Sequence, residues 1–318
     1  MNYRSVADLA RVIRENLHRV PADVDLVVGV PRSGLLAASL ISLHLNLKLT
    51  DLPSLRGNTP LQAVNIRTSK HAALVYPQDA QHILLVDDSL STGASMAAAK
   101  RDLSELPGSR AITSCVVFTT AKTRHLIDLA FEDLPLPRVF EWNVMHHRSL
   151  SRKYCVDVDG AVCLDPTPDQ NDDGDAYRDF LCNATPLCLP TYPVGHLVTS
   201  RLEKYRAQTE AWLKKTGIEY GRLHMLDLPD MQTRRRLKCH AAFKAEVYRN
   251  AEETVLFIES DRRQAAEIAR LSGKPVLCFS TQELLNPELS LRLIEHKSRK
   301  LASKILNRFY PGQRRPSG

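Results

Sequence analysis

The sequence contains no uninterrupted apolar run of membrane length, and its opening residues, Met1-Asn2-Tyr3-Arg4-Ser5, lack the apolar core of a signal peptide. The chain is therefore expected in the cytoplasm, with no membrane partner. No two cysteines are spaced as Cys-x-x-Cys, and the seven present (Cys115, Cys155, Cys163, Cys182, Cys188, Cys239 and Cys278) are odd in number. Free thiols are expected, not structural zinc or a disulfide framework. The two halves share no internal repeat. There is no aromatic-basic motif and no helix-turn-helix pattern, so nucleic acid is disfavoured as a partner even though the net charge is +7. That charge suits polyanionic partners such as phosphates.

What is present fits about two globular domains, since 318 residues exceed a typical domain of roughly 150. Hydrophobic content of 43% and charged content of 25% describe an ordinary folded chain. Strand and helix signals alternate from the start, with an amphipathic helix near Val6 to Leu17 and a buried strand at Leu26 to Val30. Such alternation predicts a parallel α/β sheet. Strands at Ile112 to Phe118 and Arg138 to Trp142 are expected to complete it.

The most informative segment is Ile83-Leu84-Leu85-Val86-Asp87-Asp88-Ser89-Leu90-Ser91-Thr92-Gly93-Ala94-Ser95. It reads as a buried strand, two acids at its carboxyl end, and a small hydroxylated loop opening a helix through Met96 to Lys100. A phosphate placed there meets free backbone N–H groups and the positive end of a helix dipole. Gly93 lets the backbone approach closely, Ser91, Thr92 and Ser95 offer hydroxyls, and Asp87 and Asp88 can accept bonds from sugar hydroxyls.

All thirteen positions are compatible with the phosphoribosyl pyrophosphate (PRPP) signature of the type I phosphoribosyltransferases, which the segment resembles. The resemblance implies a parallel sheet with helices on both faces over residues 1–148, and transfer of phosphoribose from Mg²⁺-bound PRPP to a nitrogenous base. It makes Asp87 and Asp88 catalytic and Ser91, Thr92, Gly93, Ala94 and Ser95 the 5′-phosphate loop. One unit earlier, Val30-Pro31-Arg32-Ser33-Gly34 follows a strand and precedes a helix, and by the same resemblance Arg32, Ser33 and Gly34 contact the pyrophosphate. The loop from Arg56 to His71 falls where the resembling enzymes close over PRPP, so Arg67 and Lys70 are candidate pyrophosphate contacts. A solvated surface loop is the alternative there.

In the second half, Tyr154-Cys155-Val156-Asp157-Val158-Asp159-Gly160 reads as a strand ending in Asp-x-Asp-Gly. Two carboxylates spaced by two point the same way and can serve Mg²⁺ and phosphoryl transfer. The segment resembles the first motif of the haloacid dehalogenase (HAD) phosphohydrolases. The strand His196 to Arg201 resembles the second motif, Lys244 the third, and Val255 to Asp261 the fourth. The resemblance implies a HAD-like Rossmannoid domain over 149–285 with a small insert. Asp157 would then be the nucleophile and Asp159 the general acid and base. Thr199, Ser200 and Lys244 would bind phosphate, and Asp157, Asp159, Glu259 and Asp261 would surround Mg²⁺. Ala161 stands where many of these enzymes have Thr, and Glu-Ser-Asp replaces the commoner Gly-Asp, leaving Glu259 and Asp261 as alternatives in the metal shell.

Four further features have simpler readings. Asp169, Asn171, Asp173 and Gly174 imitate the start of an EF-hand loop, yet Phe180 occupies the position that needs Glu, which argues against calcium. Arg234-Arg235-Arg236 and Lys238 are expected to begin the helix carrying Lys244, as a solvated face. His146 and His147 fall in the expected linker. Residues 286–318 are expected to form a C-terminal helix and a basic tail.

The sequence therefore predicts a two-domain α/β enzyme whose partners are PRPP and a base or nucleotide, with a homodimer among the allowed assemblies. The fused phosphatase could act on the nucleotide product. Two other readings stay open: a PRPP-sensing regulator binding nucleic acid or a partner protein, and one active domain with the other as scaffold.

Overall fold

A computed structural model describes residues 1–61 and 73–287. The chain divides into two compact units, one spanning residues 2–142 and the other beginning at Asn143. The division falls ahead of the expected boundary at residue 148.

The first unit runs β1 (Asn2–Arg4), α1 (Val6–Asn16), β2 (Leu26–Gly29), α2 (Gly34–Leu45), β3 (Lys48–Asp51) and α3 (Leu52–Arg56). It continues as β4 (His82–Ser89), α4 (Ala94–Ser104), β5 (Ala111–Thr119), β6 (Leu129–Asp133) and β7 (Arg138–Phe140). Its main sheet has the order β3-β2-β4-β5-β6, and every pair is parallel. The alternation along β4 explains why helices cover both faces. Leu84 and Val86 pack with Leu9, Ile13 and Ile41 of α1 and α2, whereas Ile83 and Leu85 pack with Leu55, Met96 and Leu103 of α3 and α4. The helix α1 starts where the Ser5 side chain accepts from the Asp8 backbone and the Asp8 carboxylate accepts from the Ser5 backbone, a reciprocal cap.

One expected strand is displaced. The segment beginning at Arg138 does not complete the main sheet; β6 does, and β7 pairs in parallel with β1 as a separate two-stranded sheet. The pairing of Asn2, Tyr3 and Arg4 with Arg138, Val139 and Phe140 brings together residues that are distant in sequence, which local pattern does not report.

The second unit contains β8 (Tyr154–Val156), α5 (Asp175–Asn183), β9 (Val194–Leu202), α6 (Arg206–Lys215), β10 (Tyr220–Leu226) and α7 (Met231–Leu237). There follow α8 (His240–Asn250), β11 (Leu256–Glu259), α9 (Arg262–Ser272), β12 (Val276–Cys278) and β13 (Glu283–Leu285). The sheet order is β10-β9-β8-β11-β12-β13, parallel except for the final β12–β13 pair. Ala241, Ala245 and Tyr248 of α8 and Ala265, Ile268 and Ala269 of α9 pack one face against Cys155, Val198, Phe257 and Val276.

The basic run Arg234 to Arg236 does not share a helix with Lys244. It lies on α7, which ends at Lys238 in the left-handed region, before α8 begins. All seven cysteines are unpaired. Among the described residues no helix is long and apolar enough to cross a membrane.

Candidate functional site

In the first unit the strand β4 ends beneath two helix starts. Asp87 and Asp88 are both buried, at 9% and 5% exposure, so their charges are only partly solvated. The Asp88 backbone N–H donates to Asp87 Oδ1 at 2.9 Å. Burial first, and then the charge of Asp88, push the Asp87 carboxyl up to about 8.

Asp88 is held at both oxygens. Ser33 Oγ donates to Oδ1 at 2.8 Å, and the Trp142 indole N–H donates to Oδ2 at 2.9 Å. The Ser33 bond links the Arg32-Ser33-Gly34 loop to the acid pair. Gly34 is required by close approach: a Cβ there would stand 2.8 Å from the Val86 carbonyl oxygen and 2.9 Å from Asp87 Oδ1. Arg32 is exposed and follows a cis Pro31-Arg32 peptide. On the other side, Gly93 has φ of +83° and, as the residue before α4, brings no side chain of its own; the Ala94 N–H donates to Thr92 Oγ1 at 3.4 Å. A left-handed turn of this kind favours glycine and leaves the first N–H groups of α4 unpaired within the helix. Ser91, Thr92, Ala94 and Ser95 surround it, exposed. The structure thus brings Ser33, Gly34, Asp87 and Asp88 together at the end of β4, with the Ser91–Ser95 loop following directly. Arg67 and Lys70 lie outside the described residues.

In the second unit Lys244 of α8 is 2% exposed and donates to Asp157 Oδ2 and Glu259 Oε2, each at 2.7 Å. Burial alone would lower its pKa, but the two carboxylates outweigh burial and hold the ammonium protonated. Asp157 is pushed well up by burial and by the charge of Glu259. Asp159 is gripped by Arg201, whose Nη2 donates to Oδ1 at 2.6 Å and whose Nε donates to Oδ2 at 3.1 Å. Burial raises the Asp159 carboxyl, but the guanidinium more than reverses this and keeps it below the usual range.

A cavity of about 290 Å³ opens beside these groups, lined among others by Asp157, Asp159, Ser200, Arg234, His240 and Lys244. Of the two hydroxyls expected to face phosphate, only Ser200 lines it. Thr199 is fully buried and its oxygen accepts the Arg201 backbone N–H at 3.2 Å. Adjacent strand residues point to opposite faces, which separates the two. Asp261 also lines the cavity, but its carboxylate caps α9, accepting from the backbone of Arg263 and Gln264. The polar run near Asp173 makes a different set of contacts from a calcium loop: the Asp173 carboxylate accepts from Lys204, Tyr205 and the Met231 backbone.

Residues 2–146 match the model of the phosphoribosyl transferase domain family. The matched stretch takes in the first unit and carries every residue of its acid pair and both flanking loops. Among solved structures the chain is similar to a purine phosphoribosyltransferase from Pyrococcus horikoshii, at 22% identity and a TM-score of 0.32, over 44% of this chain and 92% of that one. It is also similar to the xanthine-guanine-hypoxanthine phosphoribosyltransferase of Helicobacter pylori, at 20% identity and a TM-score of 0.34, over 45% and 92%. A third is the UMP synthase of Leishmania donovani, at 20% identity and 0.27, over 41% and 27%. No curated protein matched the sequence.

Three contacts of these sites escaped sequence reasoning. Trp142 was expected only as a strand end, Arg201 only as the end of a strand, and His240 not at all. A fully buried arginine carries no local signal, because its partner Asp159 is 42 positions away.

Among the described residues no three histidine, cysteine, aspartate or glutamate side chains converge to hold a metal ion. In the first unit Asp87 and Asp88 are the carboxylates beside which a divalent ion could stand. The second unit does not fit Mg²⁺ as arranged: Lys244 stands between Asp157 and Glu259, Arg201 occupies Asp159, and Asp261 caps a helix.

Proposed function

We propose that the first unit transfers phosphoribose from PRPP to a nitrogenous base and releases pyrophosphate. The observation that carries this reading is the Asp87–Asp88 pair at the end of the central strand, between the Ser33-Gly34 loop and the Gly93 turn. The family match over residues 2–146 supports it. The base nitrogen attacks the anomeric carbon, and the bond to the diphosphate oxygen breaks. Asp87 and Asp88 accept from the ribose hydroxyls and offset the positive charge that develops on the ring. Residues Ser91 to Ser95 and the first N–H groups of α4 hold the 5′-phosphate. Arg32 and the adjoining backbone face the departing diphosphate. Mg²⁺ on the diphosphate oxygens would supply charge neutralisation to the leaving group.

The second unit is proposed as a phosphate-monoester site, on the strength of the basic and hydroxyl groups converging on its cavity. Asp157 is the candidate nucleophile, with Lys244 and Ser200 on the phosphate. Asp159 takes up a proton role only after release from Arg201. A nucleoside monophosphate made by the first unit is a fitting substrate.

The deciding experiment offers purified protein PRPP, MgCl₂ and a panel of orotate, uracil, purines and nicotinate, and measures pyrophosphate. Asp88→Asn should abolish release while Asp157→Asn leaves it intact. Asp157→Asn should in turn accumulate nucleotide that the wild type dephosphorylates. Binding of PRPP without release from any base would instead support a PRPP-sensing regulator, and salt-dependent RNA or DNA binding modulated by PRPP would identify its partner.

A further inference from the structure

One side of β7 and the residue two beyond it form a ladder fixed at both ends to the PRPP segment. Arg138 and Phe140 alternate along β7, a spacing that sends both side chains to one face, and Trp142 follows in the turn that ends the strand. At the lower end Arg138, 5% exposed, donates from Nη2 to the Leu90 carbonyl at 2.7 Å and from Nη1 to the carbonyls of Thr119 and Leu134 at 2.9 and 3.1 Å. Its guanidinium carbon lies 5.7 Å from the centre of the Phe140 ring. Phe140 stacks on Phe118 at 5.3 Å and on Trp142 at 4.7 Å, the last pair within 7° of parallel. At the upper end the Trp142 indole N–H meets Asp88 Oδ2. The ladder therefore grips the main chain just after the acid pair and the carboxylate of the pair itself.

We propose that Trp142 is a positioning residue for PRPP binding, setting the orientation of the Asp88 carboxylate that receives the ribose hydroxyls. The assignment rests on the reading that the first unit binds PRPP. A carboxylate at the end of a strand can rotate about its own bonds. Ser33 fixes one oxygen and Trp142 the other, so the remaining lone pairs of Asp88 have defined directions before any sugar arrives. The indole is itself held by the near-parallel stack on Phe140, which is anchored through Phe118 to β5. Ordering the acceptor in advance removes that cost from the binding step.

The test compares the full-length wild type with Trp142→Phe, which keeps the ring on Phe140 and deletes the donor, and with Phe140→Leu, which keeps the donor and loosens its support. Calorimetric titration with PRPP and MgCl₂ gives affinity, initial rates give KM and kcat, and thermal melting reports folding. Loss of one hydrogen bond to a charged group predicts PRPP binding weaker by about tenfold or more in Trp142→Phe. The KM for PRPP should rise likewise, while the KM for the base stays unchanged. Phe140→Leu should act in the same direction, less strongly. Wild-type PRPP affinity in a folded Trp142→Phe would overturn the assignment. So would equal rises in both KM values accompanied by a lowered melting temperature, the mark of a merely structural role. Absence of PRPP binding by the wild type would remove the parent reading instead, a result distinct from either.

Discussion

Removing Arg201 should destabilise the second unit in a manner that depends on pH. The guanidinium is fully buried, and it meets an Asp159 carboxylate whose side chain is 20% exposed. Breaking a buried pair by deleting one partner costs about 3–5 kcal/mol, because the other charge is left uncompensated. Residual access of water to Asp159 places Arg201→Met at the low end, about 3 kcal/mol. For a unit of this size that is a fall in melting temperature of about 6–12 °C.

The sign with pH follows from the depressed Asp159 carboxyl. A carboxyl lowered on folding contributes stability that is present above its unfolded value of about 3.9 and lost as pH falls through the folded value. Arg201→Met removes that contribution and leaves a carboxylate that prefers a proton. The gap between wild type and variant should therefore be full at pH 7 and narrowed at about pH 3, below the ordinary carboxyl value. Calorimetric melts can follow this, and in a Trp142→Phe background the buried Trp212, bonded to the Ala184 carbonyl, reports the second unit by fluorescence. A gap of equal size at both pH values would show that Arg201 acts by packing alone. The reasoning also fails if Asp159→Asn with Arg201→Met is no better tolerated than Arg201→Met.

Two further outcomes follow from the first unit. Asp87 is raised on folding, so its contribution to stability should decline as pH rises from the ordinary carboxyl range to about 8; melting curves of Asp87→Asn should lack that decline. Gly34→Ala places a methyl against the Val86 carbonyl and the Asp87 carboxylate, and should cost about 1–3 kcal/mol of stability together with PRPP binding. A Gly34→Ala protein with native melting and native PRPP titration would refute the close-approach argument.

The legible parts of this chain are those whose signals are local. The run from Ile83 to Ser95 gave its strand, turn and helix because alternating apolar residues, acids and a glycine lie in one short stretch, and the structure places β4 and α4 there. Lys244 was legible as the lysine of a helix-like stretch ahead of a strand, by its resemblance to the third motif, and α8 carries it. What escaped depends on distance or parity. The strand β6 carries two acids within five residues, and β7 is fixed by β1 at the other end of the unit. The choice between Thr199 and Ser200 turns on which face of β9 meets the cavity, and neighbouring hydroxyls look alike in sequence. Arg201 reads as an ordinary surface charge until Asp159 is folded against it.

The pairing of residues 2–4 with 138–140 has a topological consequence. The first unit begins and ends on neighbouring strands, so its chain closes into a loop in space. A short linker from residue 142 back to residue 2 would preserve every strand neighbour, with new ends opened at the exposed turn around Gly108. Such a circular permutant would keep the brace on Asp88 intact while changing which segment is synthesised first.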